Sequence, residues 1–362
     1  MITTDKKNIF TQFYNWFLRH RKLIIIINAS LAFVIITMLV VIFLLHKDTK
    51  APEVSQIAPV IEIEPIKYYS PLTGSLVDNE EATKQAVTAI MIENSPDARP
   101  QSGIKNSGVV FEAIAEGGIT RFLALYQSEK PQLIGPVRSV RMYYVHWLAA
   151  FNASVAHIGG SAAALTEVRS GDYRDIDQFF NSQAYWRASD RYAPHNVYTS
   201  FEKLDALNAE KGFTSSTFNG FSRVDGVTAE TITAANINVE ISSYLFNSSY
   251  VYDATTNTYN RYQAGEPHND RESGQISPSV VIAMYVDETR ILEDGYREEI
   301  TTMGTGRVII FQNGTATEGT WTKNSKTEQI KFTDIAGAEI PLVRGQTWIT
   351  AVPNGQGDVT WN

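Results

Sequence analysis

Between Leu23 and Leu45 the chain runs through 23 positions without a charge, and only Asn28, Ser30 and Thr37 dilute the apolar residues. At about 1.5 Å per residue such a helix crosses a hydrocarbon layer of about 30 Å with some tilt, so the run predicts a transmembrane helix over 23–45. Beyond it the pattern shifts. "VTAIMIEN" (87–94), "GVVFEAIA" (108–115), "ITRFLALYQ" (119–127) and "ASVAHIGG" (153–160) are short apolar or alternating runs bounded by glycine or polar residues, and they predict strands. Helices are expected over 141–152, 161–171 and 200–212, the last with Ser200 as N-cap and Gly212 as stop.

From Asn236 onward "NINVEIS", "SVVIAMYVDE", "RVIIFQNGTATEGTWTK", "EQIKFTDIAGAEIPLV" and "TWITAVP" show no 3.6-residue period. Asn313-Gly314, between two such runs, predicts a tight hairpin, because both central positions of that turn need positive φ. The expected fold class is α+β: a mixed α/β first domain over 71–220, then a mostly antiparallel β domain over 235–355. The stretch 46–70, with Pro52, Pro59 and Pro65, reads as an extended stalk.

Composition agrees with a folded chain, 43% hydrophobic and 19% charged over 362 residues. There is no cysteine, which excludes disulfides, thiolate metal sites, a cysteine nucleophile and lipid attachment through cysteine. Lys6, Lys7, Arg19, Arg21 and Lys22 face only Asp5 before the apolar run. Positive flanks stay cytoplasmic, so 1–22 is expected as a basic cytoplasmic tail, with the folded part outside the plasma membrane. A cleaved signal peptide fits less well, since the run is long and "HKDTKAP" lacks a small-residue cleavage pattern. The net charge of −8, with no basic stripe, argues against a nucleic-acid partner.

Four arginines stand in unusual settings: Arg121 inside an apolar strand, Arg138 and Arg141 after Gly135-Pro136, and Arg191 in "SDRYAPHN". A buried guanidinium needs a carboxylate, carbonyls or a bound anion. Each arginine taken singly is expected to pair with an acid such as Glu112, Glu116 or Asp190. Together they suggest a cleft for an anionic envelope ligand: a glycan, a polymer phosphate or a peptide carboxylate. His157 and His195 are candidate bases, with Ser161 and Asp190 as further partners and Glu112 as a candidate carboxylate. No zinc helix, nucleotide loop or nucleophile elbow occurs, and no cofactor or metal is expected. The "EPHNDRESG" segment with His268, Asp270 and Glu272 reads as a solvated loop; Trp321 and Trp348 suit strand packing or sugar stacking equally.

"IMIENSPDARPQSGI", "FEAIAEGGITRFLALY", "IGPVRSVR", "HIGGS" and "APHNVYTS", then "FQNGTATEGTW" and "GQTWITAVP", resemble the YerB-like family of bacterial envelope proteins over about residues 70–355. The resemblance implies an extracytoplasmic two-domain protein without an established activity. Its recurring polar positions fall here on Asn94, Arg99, Gln101, Glu112, Glu116, Arg121, Arg138, Ser139, Arg141, His157, Ser161, His195 and Asn196; their crowding into the first domain implies one shared cleft, in which Asn94, Arg99, His195 and Asn196 are expected to bind the ligand beside the four arginines. Unlike the lipoprotein members, this chain has no cysteine for a lipid. A weaker similarity, of arginine, strand, turn, strand and arginine, links "ITRFLALYQSEKPQLIGPVRS" to the LytR-CpsA-Psr glycopolymer transferases. It lacks their aspartate. Beside a binding protein, two other classes remain open: a cell-wall transferase or hydrolase using the same cleft, and a structural envelope protein acting by protein contact.

Overall fold

The structure is a computed structural model that describes residues 6–46, 66–291 and 297–362. It forms two compact units, Met1–Pro65 and Ile66–Asn362.

In the first unit helix α1 spans Lys6–His46, so it starts well before the expected 23–45 and takes in 6–22, expected as a tail. No glycine or proline interrupts 6–46, and nothing in that stretch breaks the helix. It is long and apolar enough to cross a membrane. The three polar residues within 23–45 bond back to the helix: Asn28 Nδ2 donates to Ile24 O, Ser30 Oγ to Ile26 O and Thr37 Oγ1 to Phe33 O. Each of the three side chains thus donates to the helix's own backbone, as hydrocarbon surroundings favour. Residues 47–65 of the expected stalk lie outside the described residues.

The second unit is built on one large mixed sheet. Ten of its twelve strands form one path: β1 Thr88–Glu93, β2 Val109–Glu116, β3 Ile119–Tyr126, β4 Ser154–Ala156, β5 Arg174–Asp175, β6 Val280–Val286, β7 Gly304–Gln312, β8 Thr315–Lys323, β9 Lys331–Asp334 and β10 Thr347–Pro353; Glu288–Ile291 and Arg297–Ile300 pair beside it. The ten lie side by side as β9-β8-β7-β6-β10-β2-β3-β1-β4-β5. β10 is parallel to both neighbours, β6 and β2, and so joins the segments expected as separate domains through one ladder. Strands β1, β4 and β5 are parallel to one another.

Side chains alternate between two apolar layers. Ala89 and Met91 of β1 face helices α2 (Met142–Leu148) and α3 (Ala162–Val168), where Tyr144, Trp147 and Val168 are buried. Ile90 and Ile92 face helix α4 (Phe201–Glu210) and a smaller sheet containing Asn236–Glu240, Ser248–Asp253, Thr258–Gln263 and Asp358–Trp361. Strands covered on both faces read as continuous apolar runs, and every residue of β6 and β10 is buried. Trp321 and Trp348 belong to these layers and are buried, which removes the sugar-stacking reading for both.

Candidate functional site

Arg121 and Arg141 leave β3 and the N-terminal side of α2 and meet over one carboxylate. Arg121 Nη2 lies 3.2 Å from Glu116 Oε1, its Nη1 donates to Ser139 O at 2.8 Å, and Arg141 Nη2 bonds Glu116 Oε2. Both guanidinium groups are buried. Burial opposes ionisation of Glu116, but the charges of Arg121 and Arg141 outweigh it and hold its carboxyl below the usual range. This pair is the internal strut that single arginines were expected to form. Two of the four arginines are thereby withdrawn from an open cleft, and neither lines the cavities of about 650 Å³ beside Tyr173 and Phe218 or about 400 Å³ beside Ile114 and Ser242.

Arg138 is different. The extended segment after Gly135 runs along the end of β1, with Arg138 N donating to Met91 O and Ile158 N to Arg138 O. Glycine is required at 135, because a Cβ there would sit 2.8 Å from Tyr198 Cδ1 and from Val197 O. The side chain is 24% exposed, with Nε 3.4 Å from Glu93 Oε1 and, among the described residues, no hydrogen bond from the guanidinium. Glu93, nearly buried, also receives Ser95 Oγ at 3.0 Å and His195 Nδ1 at 3.0 Å; its second oxygen, Oε2, is buried without a partner. His195 is 22% exposed, and its Nε2 lies 4.0 Å from Asp97 Oδ2. Glu93, Ser95, Arg138 and His195 thus form a charged cluster that the protein does not saturate, outside the carboxyl end of β1, where open α/β sheets hold ligands.

The remaining predicted residues are mostly fastened elsewhere. Arg191 donates to Asp97 O and Pro100 O at 2.9 and 2.6 Å, pinning the loop that carries His195. Asn196 bonds Arg187, Ala188 O and Arg191 O in that loop. Ser161 caps α3 through Ala164 N, and Asp190 pairs with Arg271. His157 is buried between Gly159 O and Asp175 Oδ1, at 2.8 and 3.0 Å. Its ring, Asp175 and Asp177 present atoms within 4.8 Å of one another, a spacing a metal ion could use. Arg169 occupies the same carboxylates, bonding Asp177 and lying 3.9 Å from Asp175, so the cluster already holds a cation of its own. The expected combination of His157, His195, Ser161 and Asp190 is not assembled.

Asn94, Arg99, Gln101 and Glu112 join a second network instead. Glu112 Oε2 receives Arg261 Nη2 at 2.8 Å and Trp348 Nε1 at 2.9 Å, and Thr120 links Glu112 to Asn94. Arg99 bonds Asn94 and Leu245 O, while Gln101 bonds Asn94 and His268. Arg261 is fully buried, 4.4 Å from the Trp348 ring centroid, and contacts His268 Nδ1. That contact makes Nδ1 an acceptor and Nε2 the donor to Gln101; burial first, then Arg261 and Arg99, pushes the His268 pKa well below 6.5. Most of the "EPHNDRESG" segment is exposed, Glu272 included, as expected of a solvated loop, but His268 and Asp270 are buried, the latter receiving the backbone N–H of Lys105, Glu272 and Ser273.

Two family models match the chain, "Protein of unknown function (DUF3048) N-terminal domain" over 72–214 and its C-terminal counterpart over 236–349. The curated protein named "Putative lipoprotein YerB", of Bacillus subtilis (strain 168), is 32% identical over 295 residues, 80% of this chain and 87% of that one. The chain belongs to this family. The crystal structure of YerB protein from Bacillus subtilis superposes with a TM-score of 0.73 at 30% identity, over 81% of this chain and all of that one. The relative's name is that of a putative lipoprotein, and this chain carries a helix long and apolar enough to cross a membrane in a sequence without cysteine; both point to membrane association.

Within the DUF3048 fold, the residues that sequence reasoning missed are Glu93, Ser95, Arg169 and Arg261. Glu93 closes the apolar run "VTAIMIE", and an acid ending a strand that ought to be buried was the available signal. Arg261, in the alternating "TYNRYQ", carried no comparable sign, because its acid is 149 positions away.

Proposed function

We propose that this protein is a single-pass, membrane-anchored envelope protein that binds an anionic ligand outside the plasma membrane, with Arg138 as the anion contact and His195 beside it. The observation that carries this reading is the guanidinium of Arg138, partly exposed and held only by a 3.4 Å ion pair to Glu93, next to a buried carboxylate oxygen that lacks a donor. A ligand with an anionic group and a hydroxyl or amide N–H supplies what both lack. Orientation with the N-terminus inside follows from the basic residues before the apolar run. Arg121 and Arg141 fix the strand ends, and Arg191 holds the His195 loop; neither role requires ligand contact.

A second reading has one specific support. Glu93 engages His195 Nδ1 and leaves Nε2 open, the orientation of a general base, which favours a transferase or hydrolase acting on the bound ligand.

The test is a thermal-shift screen of the full chain in detergent against sugar phosphates, wall-polymer fragments and short acidic peptides, with Arg138→Ala in parallel. A ligand at about 100 times its Kd adds about 2.7 kcal/mol to the folded state, so a binder raises Tm in the wild type and not in the variant. If no compound of the set shifts the wild type, the binding reading fails. Turnover of a binding ligand, lost in His195→Ala, is what the second reading expects.

A further inference from the structure

Two aromatic residues not used above lie near Arg138 and His195 along the chain's pairing. Phe179 is 64% exposed although it belongs to a segment bonded to the sheet end, with its N–H donating to Asp177 Oδ1 at 3.1 Å. Its ring edge, Cε2, lies 3.3 Å from the point a Cβ on Gly159 would occupy, so the ring rests over the Ile158–Gly159 backbone. That backbone is hydrogen-bonded to the Arg138–Val140 segment through Ile158 N and Gly159 O, so Phe179 lies over the stretch that pairs with the Arg138 segment. In the loop that carries His195, Tyr192 is 91% exposed, two positions before the cis-Pro194 turn, and its O accepts the His195 N–H at 2.9 Å.

Exposed aromatic rings are costly in water, and two of them near a charged cluster with an unpartnered buried acceptor set out a mixed surface. One part attracts an anion, one accepts a hydrogen bond and one offers a flat apolar face. A bare phosphate or a simple carboxylate uses only the first. A hexose ring bearing a phosphate uses all three: the phosphate on Arg138, a hydroxyl toward Glu93 Oε2, and the C–H face of the ring against Phe179. We infer that the ligand of the Arg138 site is a phosphorylated sugar or a glycan carrying one, held by stacking on Phe179. This inference rests on the anion-binding reading above and narrows it to one chemical class.

Titration calorimetry on the full chain in detergent separates the two. The probes are inorganic phosphate, N-acetylglucosamine 1-phosphate and free N-acetylglucosamine. The expected result is that the sugar phosphate binds about tenfold more tightly than inorganic phosphate, the scale of one aromatic contact. Phe179→Ala erases that advantage and leaves phosphate affinity unchanged, Phe179→Tyr restores it, and Arg138→Gln loses both probes. Phe179 is exposed, so the variant keeps its fold, checked by an unchanged melting curve. Equal affinity for both phosphates, or an advantage that survives in Phe179→Ala, overturns the sugar assignment while the anion site stands. Absence of all binding in the wild type overturns both.

Discussion

Glu116 answers two guanidinium groups at once, and that single carboxylate decides which arginines remain available for a ligand. Arg121 and Arg141 converge on it, whereas Arg138 reaches only the edge of Glu93 with its Nε. The same residues make stability fall with acid. Glu116, whose carboxyl is held below 4.5, contributes stability that is present above that value and lost as pH drops through its folded pKa. His268, neutral in the fold, is protonated on unfolding below about 6.5, so it too removes stability as pH falls; His146, lowered by burial and then by Lys326, adds to the same limb. Thermal melts are expected to show Tm declining below pH 6.5 and more steeply below 4.5. His268→Asn should reduce the slope between those values by the contribution of one proton, about 1.4 kcal/mol per pH unit. An unchanged slope would show that the histidine is already protonated in the fold.

At the scale of elements, local chemistry sets the turns and caps. Ser200 caps α4 by accepting from Lys203 N, and the Asn313-Gly314 turn carries φ values of 57° and 79° with Gln312 opposite Thr315. Both were legible because a hydroxyl before a helix and an Asn-Gly pair between strands act within a few residues. Gly314 also meets a tertiary constraint: a Cβ there would lie 2.6 Å from Ile232 Cδ1 and 2.7 Å from Tyr252 Cε1. Gly314→Ala is therefore expected to cost about 1–3 kcal/mol, measured by chemical denaturation, with backbone strain and crowding adding. A cost near zero would mean that the turn shifts to accommodate the methyl. The neighbour of each strand was less legible. "TWITAVP" reads as one more strand of an antiparallel set, yet β10 is parallel to both its partners, because an apolar run carries no record of strand direction.

Across the whole molecule, residues 66–362 make one unit because β10 lies between β6 and β2 and because Arg261 and Trp348 bond Glu112 across the two family-matched segments. Removing the second segment strips β2 of β10, one of its ladder partners, and deprives Glu112 of its cation. A chain ending at residue 230 is expected to lack cooperative unfolding, while 66–362 melts in one transition by calorimetry. A cooperative transition in the shorter chain would show the first segment to be autonomous.

The amino-acid sequence by itself determined the long apolar helix, the positions of β1, β2, β3 and the three later helices, the hairpin at Asn313-Gly314 and the family, since all of these rest on periodicity, local turn chemistry or contiguous motifs. It also singled out Arg121, Arg138, Arg141, Arg191, His157 and His195 as residues that need partners. Only the tertiary structure decided which partner each found. Glu116 lies 5 positions from Arg121 but 25 from Arg141, Glu93 lies 102 from His195, and Arg261 lies 149 from Glu112. Burial makes a charge seek its complement wherever the sheet brings one, and that distance in space has no counterpart in local pattern.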